Sequence, residues 1–353
     1  MSPPVELFSP IKPSSTAKAV SDEDEQELLW KKELSNATTS AAELLARLNL
    51  NQHLKEIDNQ PDFRCMVTDN YINKIKTGDI NDPLLRQILP LTIENHAETQ
   101  KNGKADPVGD LNAQVTQGLL HKYHGRALLV STGACAIHCR YCFRRSYPYQ
   151  QSSCTSKALS DTVTYLNAHN EIEEVILSGG DPLVLSNEKL STLINKFSDI
   201  KHIQTLRIHT RIPVVLPSRI TEGLLHLLQS SRLQIVIVIH ANHANELQHH
   251  EHEKLHLLHQ AGVTLLNQSV LLKGINDNVD ALTALSKRLL QCKTIPYYLH
   301  LFDRVTGAMH FETSKQLAQQ LLDELSAQLP GYLVPKLVQE IAGSQSKTAI
   351  FRI

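Results

Sequence analysis

The second two thirds of the chain alternate between short apolar runs and longer amphipathic segments. The apolar runs are rich in β-branched residues and predict buried strands; they span 127–131, 174–177, 205–209, 234–239, 263–270 and 296–301. Helical periodicity marks the segments between and after them: 157–168, 187–198, 218–229, 245–261, 278–291 and 313–328. Six strand-then-helix units predict parallel strands buried on both faces. We therefore expect an α/β fold, a complete or partial (β/α)6-type parallel barrel, with a doubly wound open sheet as the alternative.

The N-terminal part of the chain follows a different pattern. Residues 1–20 contain four prolines and little to bury, so we expect a mobile arm. Apolar positions at helical spacing predict two helices joined by a turn in residues 25–50, and residues 58–111 are expected to be helical with polar breaks. We place a boundary near residue 115. The expected segments are a mobile arm (1–20), a helical region (21–115), the core (116–347) and a short tail (348–353).

The charge balance narrows the classes of partner. The 353 residues include 35 Lys and Arg against 36 Asp and Glu, for a net charge of −1, which argues against a generally basic surface for nucleic acid. The longest apolar runs, such as 235–239, are far shorter than the ~20 residues that span a bilayer. The N-terminus lacks the basic-then-apolar pattern of a signal peptide. We expect a cytoplasmic protein that binds neither nucleic acid nor membrane.

Three of the six cysteines fall within eight residues, directly after the first strand of the regular region. Cys135, Cys139 and Cys142 have the spacing C-x3-C-x2-C, and three such thiolates can hold a [4Fe–4S] cluster whose fourth iron lacks a protein ligand. The alternative is a structural zinc with His138 or a distant fourth ligand, although such sites more often use paired C-x2-C elements. The remaining cysteines, Cys65, Cys154 and Cys292, are interpreted as free thiols.

This cysteine spacing after the first strand of a β/α barrel resembles the signature of the radical S-adenosylmethionine superfamily. The run Tyr-Cys-Phe-Arg-Arg at residues 141–145 resembles the lysine 2,3-aminomutase family within it. Ordered matches continue over roughly residues 105–347; they lie at 118–123, 178–183, 213–221, 267–274 and 296–298. The resemblance implies a radical S-adenosylmethionine core with a partial barrel.

The resemblance also implies three cofactors and one reaction. The cofactors are a [4Fe–4S] cluster on Cys135, Cys139 and Cys142, S-adenosyl-L-methionine at the open iron, and pyridoxal 5′-phosphate. They imply an isomerase that converts L-α-lysine to β-lysine, in the R form, by a radical 1,2-amino shift. An electron donor such as flavodoxin or ferredoxin is the implied partner.

Residues for the cofactors follow from positions that match the family. Lys347, after the run Gly-Ser-Gln-Ser, matches the lysine that binds pyridoxal phosphate covalently, and Lys336 is a rival candidate that we expect to be structural. The other implied contacts are Tyr123 and Arg126 for pyridoxal phosphate, and Ser178, Gly179, Gly180, Asp181 and Gln268 for S-adenosylmethionine.

Substrate recognition is expected to depend on charges at two ends of the pocket. Arg144 matches the arginine that holds the lysine carboxylate, for which its planar fork is suited. Asp303 and Glu340 are expected to hold the ε-ammonium. At 4 Å, an opposite charge contributes ~4 kcal/mol at an effective dielectric of about 20, so two sequestered carboxylates would select lysine over neutral side chains. The alternative for either acid is a helix cap or a surface pair.

Three functional hypotheses remain open at this point. The favoured one is a lysine 2,3-aminomutase of the short bacterial type, whose β-lysine serves elongation factor P and its lysyl-ligating enzyme, because only residues 348–353 follow Lys347. The second is the same reaction for a free β-lysine pool, and the third is a structural zinc module that binds nucleic acid. One predicted helix has a histidine face, interpreted as solvated rather than metal-binding: His249, His252, His256 and His259.

Overall fold

A ten-stranded sheet organises this computed structural model, which describes residues 21–58, 61, 63–152 and 154–350. The strands are β1 (Gln114–Thr116), β2 (Leu119–Tyr123), β3 (Arg126–Thr132), β4 (Glu174–Gly179), β5 (Thr205–Thr210), β6 (Gln234–Ile239), β7 (Thr264–Val270), β8 (Ile295–His300), β9 (Lys336–Gln339) and β10 (Thr348–Ala349). Strands β3 to β9 pair in parallel, and β1, β2 and β10 add antiparallel strands at the two edges. The expected arm, residues 1–20, lies outside the described residues.

Helices connect the successive parallel strands. In the described part of the chain they are α1 (Ser21–Ser35), α2 (Ala41–Arg47), α3 (Asp69–Ile72), α4 (Ala97–Lys101), α5 (Ser156–Ala168), α6 (Asn187–Ser198), α7 (Ile212–Val215), α8 (Glu222–Gln229), α9 (His249–Gln260), α10 (Val279–Gln291) and α11 (Lys315–Gln328). The six predicted strands and the six predicted helices of the core are confirmed, with every end within four residues of its expected position.

Side-chain caps explain why the core helices begin where they do. In each case a Ser, Thr or Asn oxygen accepts a hydrogen bond from the backbone N–H three residues later, which satisfies one of the free donors at a helix start. The capping residues are Thr155, Ser186, Thr221, Asn278 and Ser314, before α5, α6, α8, α10 and α11.

The order of the strands decides between the two expected architectures. Strands β1 to β10 are neighbours in chain order, whereas a doubly wound sheet reverses its order part-way along. Residues from β2 through the segment after β9 line one shared cavity, so the sheet curves around it. The fold is therefore a partial parallel barrel, open between β1 and β10, and the expected fold class is confirmed.

The N-terminal region contains the two expected helices, α1 and α2, but residues 58–111 are mostly turns rather than helix. One cause is Asp82, whose carboxylate accepts backbone hydrogen bonds from Lys76, Leu84 and Leu85 at 3.1, 2.8 and 3.1 Å. Such local side-chain bonds compete with the helical hydrogen-bond ladder. Leu84 and Leu85 are nonetheless buried in the same hydrophobic cluster as the barrel strands.

Helix α9 presents a different face to the core than the sequence suggests. His252 is buried, opposite to expectation, whereas His249 and His259 are exposed as expected. The reason is Glu251, which is buried on the same side and pairs with Lys74 at 3.0 Å. No helix in the described ranges is long and apolar enough to cross a membrane.

Candidate active site

A cavity of about 350 Å³ opens at the carboxyl ends of the parallel strands. In parallel β/α barrels the chemistry takes place at this end, and the volume lies in the usual range for small-molecule sites. Every site residue expected from the sequence lines this cavity: Cys135, Cys139, Cys142, Lys347, Tyr123, Arg126, Ser178, Gly179, Gly180, Asp181, Gln268, Arg144, Asp303 and Glu340.

The three cysteines lie on the loop that follows β3. Arg140, from the same loop, binds Glu94 in a bidentate pair at 2.8 and 2.6 Å, and Arg145 binds the same carboxylate at 2.8 Å. All three of these charged side chains are buried or nearly so. Since Glu94 belongs to the N-terminal region, that region holds the cysteine loop in place from outside the barrel.

His138 lies in the same loop but does not line the cavity. Its Nδ1 is 2.9 Å from the carbonyl oxygen of Arg64, and its ring stacks on Phe63 with centroids 4.9 Å apart. Across the described ranges, no three His, Cys, Asp or Glu side chains are arranged to hold a single metal ion. His138 therefore contacts the N-terminal region and is not among the residues that line the cavity with the cysteines.

The glycines after β4 allow two loops to approach closely. The Gly180 N–H donates to the Thr132 carbonyl at 2.7 Å, and a Cβ at residue 180 would lie only 2.2 Å from the carbonyl oxygen of Ala134. Gly179 has a φ of +119°, which residues with a side chain rarely adopt. The loop after β4 therefore packs directly against the cysteine loop.

The carboxylate of Asp181 forms hydrogen bonds with other groups of the protein. Its two oxygens accept hydrogen bonds from the Thr210 hydroxyl and the Arg211 backbone N–H, both at 2.6 Å. Burial raises the pKa of Asp181 to about 6, although these hydrogen bonds act in the opposite direction. The carboxylate thus ties the end of β4 to the end of β5.

Lys347 reaches the cavity from a hairpin formed by β9 and β10. Thr348 pairs with Gln339, so Lys347 and Glu340 face each other where the connecting loop of the hairpin begins and ends. Their charged atoms are 3.7 Å apart. The amine is also 3.2 Å from Nε2 of His300. Burial lowers the pKa of Lys347, although Glu340 and Asp303 act to raise it. The rival candidate, Lys336, is exposed at the start of β9 and does not line the cavity.

The two acids proposed for the substrate ammonium lie beside this amine. Burial raises the pKa of Asp303 to about 7, and Lys347 offsets only part of that shift. Glu340 accepts a hydrogen bond from the Tyr123 hydroxyl and lies 3.6 Å from Nζ of Lys122. Asp303 therefore keeps a proton to higher pH than an ordinary carboxyl does.

Arg144 is anchored on one side and free to bind on the other. Its Nε donates to Asp110 at 2.6 Å, and Nη1 donates to the Ser178 hydroxyl at 2.9 Å. Asp110 also pairs with Lys122 at 2.6 Å. The guanidinium has five N–H donors, so the side facing the cavity keeps donors for a carboxylate.

The remaining predicted contacts lie on two sides of the cavity. The guanidinium of Arg126 lies 4.7 Å from the ring centroid of Tyr123. Nε2 of Gln268 is 2.7 Å from Nε2 of His240. Each of these predicted residues thus has a protein contact within the cavity wall.

Several further cavity residues carry no motif that marks them in the sequence. They are Asp110, Arg207, His209, Arg211, His240 and His300. Position is the signal that identifies most of them, because they lie on strands or directly after strand ends. Asp110 lies in a turn-rich segment before the barrel, where neither spacing nor strand position distinguishes it.

Among these unpredicted cavity residues, Arg211 contacts the cysteine loop directly. Its Nη1 is 2.6 Å from Sγ of Cys139, and its Nη2 is held by Glu246 at 2.6 Å and Gln87 at 2.8 Å. Arg211 and Glu246 are both buried. A fixed guanidinium therefore lies directly against one thiol of the cysteine loop.

Comparisons with known proteins agree with this site. The family model described as a 4Fe-4S single cluster domain matches residues 124–211, which include the cysteine loop. The L-lysine 2,3-aminomutase of Buchnera aphidicola is 44% identical over 324 residues, covering 91% of this chain and 95% of that protein. The Escherichia coli enzyme of the same name is 42% identical over 324 residues (91% and 94%), and that of Clostridium subterminale 33% over 337 residues (94% and 80%).

A partial parallel barrel whose first parallel strand leads into a C-x3-C-x2-C loop, together with the match to the 4Fe-4S model, defines a radical S-adenosylmethionine enzyme. The cofactors of this class are a [4Fe–4S] cluster and S-adenosylmethionine. Given its similarity to these relatives over nine tenths of its length, the chain belongs to the L-lysine 2,3-aminomutase family, whose members are isomerases that also use pyridoxal phosphate.

Proposed function

We propose that this protein converts L-α-lysine to (R)-β-lysine by moving the amino group from C2 to C3. The observation that supports it most is that one cavity contains the three cysteines, the partly buried amine of Lys347, two acids and an arginine. These are the groups needed to hold the family's cofactors and a substrate charged at both ends.

The donor set of the cavity fits the three cofactors. Cys135, Cys139 and Cys142 would hold the cluster, and Lys347 would bind pyridoxal phosphate, with Tyr123 and Arg126 at its ring and phosphate. Ser178, Gly179, Gly180 and Gln268 would contact S-adenosylmethionine, and Asp181 would support that loop through its bonds to β5. When bound, these cofactors supply the radical that removes a hydrogen and the carrier for the migrating amino group.

The protein's own contribution is to hold lysine by its two ends and to exclude water. The free donors of Arg144 would bind the carboxylate, and Asp303 and Glu340 would bind the ε-ammonium. The pKa of Asp303, raised to about 7 by burial, means that this acid would ionise fully as the ammonium arrives. A neutral side chain would offer neither acid a substrate cation, and sites built for polar recognition reject such analogues by ~10⁴–10⁵.

We further propose that the product modifies elongation factor P in the cytoplasm, through a lysyl-ligating enzyme, and that a flavodoxin or ferredoxin supplies the electron. Higher identity to the Escherichia coli and Buchnera relatives (42% and 44%) than to the clostridial one (33%) favours the short bacterial type. The competing role is supply of a free β-lysine pool.

The activity is tested with anaerobically reconstituted enzyme and a chemical reductant. We expect L-lysine to be converted to β-lysine with the R configuration on chiral chromatography, and norleucine, which lacks the ammonium, to react at least 10³-fold more slowly. Comparable turnover of both substrates would contradict the assignment of the two acids. For the pathway, acid hydrolysis of elongation factor P from cells with and without the gene, followed by chiral chromatography of the released amino acids, should give (R)-β-lysine only when the gene is present, since α-lysyl and β-lysyl groups have the same mass.

A further inference from the structure

Asp110 is a buried carboxylate between two cations of the cavity wall. Its Oδ2 accepts from Nε of Arg144 at 2.6 Å, and its Oδ1 lies 2.6 Å from Nζ of Lys122. The side chain is 3% exposed. Burial alone would raise the pKa of Asp110, but the two cations outweigh it and the pKa lies below its ordinary value. Asp110 is therefore ionised at neutral pH.

This carboxylate is one member of a row of alternating charges across the cavity. From Lys122 the row continues to Glu340 at 3.6 Å and from Glu340 to Lys347 at 3.7 Å. Lys122 is fixed further by a 2.8 Å hydrogen bond to the carbonyl oxygen of Val108. The row thus starts at the arginine proposed for the substrate carboxylate and passes through an acid proposed for its ammonium.

We propose that Asp110 is a positioning residue that fixes the spacing between Arg144 and Glu340 and thereby selects substrate length. This inference rests on the proposed function, because it assumes that lysine binds between these two groups. Asp110 touches neither end of the substrate in this arrangement. It acts by holding Arg144 directly and Glu340 through Lys122.

The physical reason lies in the electrostatics of the wall. Without the Asp110 charge, Arg144 and Lys122 would be two partly buried like charges with no counter-ion between them, and they would move apart or recruit other acids. Glu340 would lose the fixed Lys122 cation against which it is oriented. Both ends of the pocket would then be displaced. The affinity for ornithine, a diamino acid one methylene shorter, would then differ less from the affinity for lysine.

Binding without turnover provides the test. Oxidised enzyme carrying its cluster and pyridoxal phosphate, with no reductant present, is titrated calorimetrically with L-lysine and with L-ornithine. In the Asp110→Asn variant we expect lysine affinity to fall about tenfold or more and the lysine-to-ornithine affinity ratio to fall by at least about fivefold. Visible spectra should show the wild-type content of both cofactors.

Two further variants separate positioning from a structural role. Asp110→Glu keeps the charge and should restore most of the affinity ratio. Lys122→Gln should also lower the lysine-to-ornithine affinity ratio. In the double variant Asp110→Asn/Lys122→Gln, the loss of selectivity in free energy should be smaller than the sum of the two single losses, because both substitutions break the same contact between Asp110 and Lys122.

The outcomes are distinguishable from failure of the proposed function. A wild type that binds ornithine and lysine equally, or converts neither, contradicts the proposed function itself. A wild type that prefers lysine, with an unchanged ratio in Asp110→Asn and in Lys122→Gln, overturns the positioning role alone. A fall in affinity for both amino acids by the same factor also overturns it, since loss of general structure would have that effect.

Discussion

At the scale of single residues, the acid with the most consequential environment is Asp303. Burial raises its pKa to about 7, so the free enzyme holds a proton there at mildly acidic pH. The lysine ε-ammonium stays charged until about pH 10.4. We therefore expect KM for lysine to fall as pH rises from about 6 to 8, as the acid ionises, and we expect Asp303→Asn to raise KM and flatten this dependence. Steady-state kinetics across that range checks both; an equally steep profile in the variant would assign the dependence to another group.

The same group affects stability in a defined direction. A carboxyl with a raised pKa in the folded state keeps its proton where the unfolded chain has lost it. Its contribution to folding is therefore greatest below the ordinary value of 3.8 and is lost as pH rises towards about 7. In the cofactor-free protein, the unfolding free energy of wild type relative to Asp303→Asn should decrease between pH 4 and 7, as measured in urea.

The cysteine assignments make a separate prediction about iron. Replacing Cys135, Cys139 or Cys142 by Ala removes one proposed cluster ligand from the cavity wall. We expect loss of the broad visible absorbance, loss of most bound iron and no cleavage of S-adenosylmethionine. Cys154→Ala is the matched control, because Cys154 lies outside the cavity wall and should keep full iron content. Full iron in any one of the three variants would remove that cysteine from the ligand set.

The covalent lysine can be identified by chemistry rather than by activity. Borohydride reduction of the enzyme with pyridoxal phosphate, followed by peptide mapping, should place the pyridoxyl mass on Lys347. The side chain of Lys347 borders the cavity and its lowered pKa favours the nucleophilic amine, whereas Lys336 is exposed. Lys347→Ala should lose the label and keep its iron. A label on Lys336 would show that the hairpin has another register in solution.

At the scale of elements, the contact between two loops sets the geometry of the site. In Gly180→Ala the new Cβ would lie 2.2 Å from the Ala134 carbonyl oxygen, so the loop after β4 and the cysteine loop must move apart. We expect a loss of unfolding free energy of about 1–3 kcal/mol and reduced iron content. Gly331→Ala is the control, because a Cβ at residue 331 would meet no atom within 4 Å. Equal stability of the two variants would show that the loops are not tightly packed.

The element scale also shows what sequence patterns can and cannot predict. Strands such as β6 and capped helices such as α6 are determined by their own sequence, since their apolar runs and capping side chains specify them directly. The turns of residues 58–111 depend on the local hydrogen bonds of Asp82, which have no regular spacing, and on burial against the barrel, which is a tertiary contact. The predicted cavity residues came from the cysteine spacing and from positions that match the aminomutase family. Asp110 and Arg211 act through contacts with residues distant in sequence, which a spacing pattern does not reveal.

At the scale of the whole molecule, Lys74 joins the N-terminal region to the barrel. Its Nζ donates to the carbonyl oxygens of Val214 and Glu246 at 2.7 and 3.0 Å and pairs with Glu251 at 3.0 Å. Burial lowers its pKa, yet the three acceptors compensate the cation. The interface therefore contains a buried charge that is fully hydrogen-bonded on the barrel side.

Lys74→Met should leave Glu251 buried without its partner. We expect the unfolding free energy to fall by about 3–5 kcal/mol, the range for breaking a buried ion pair, as measured by denaturant titration. Lys76→Met serves as control, since its side chain is 76% exposed and its pair with Asp79 is a surface contact. A loss below about 1 kcal/mol for Lys74→Met would show that the interface is hydrated in solution.

The hairpin that carries Lys347 has a consequence for how this family can diversify. The amine is placed by the pairing of Thr348 with Gln339 and not by the six residues between Glu340 and Lys347. Insertions, deletions or substitutions within that short connection would leave the two paired ends, and with them the reacting atoms, where they are. Variation can thus accumulate in the connection, and protein engineers can use it to graft new recognition sequences beside an intact reaction centre.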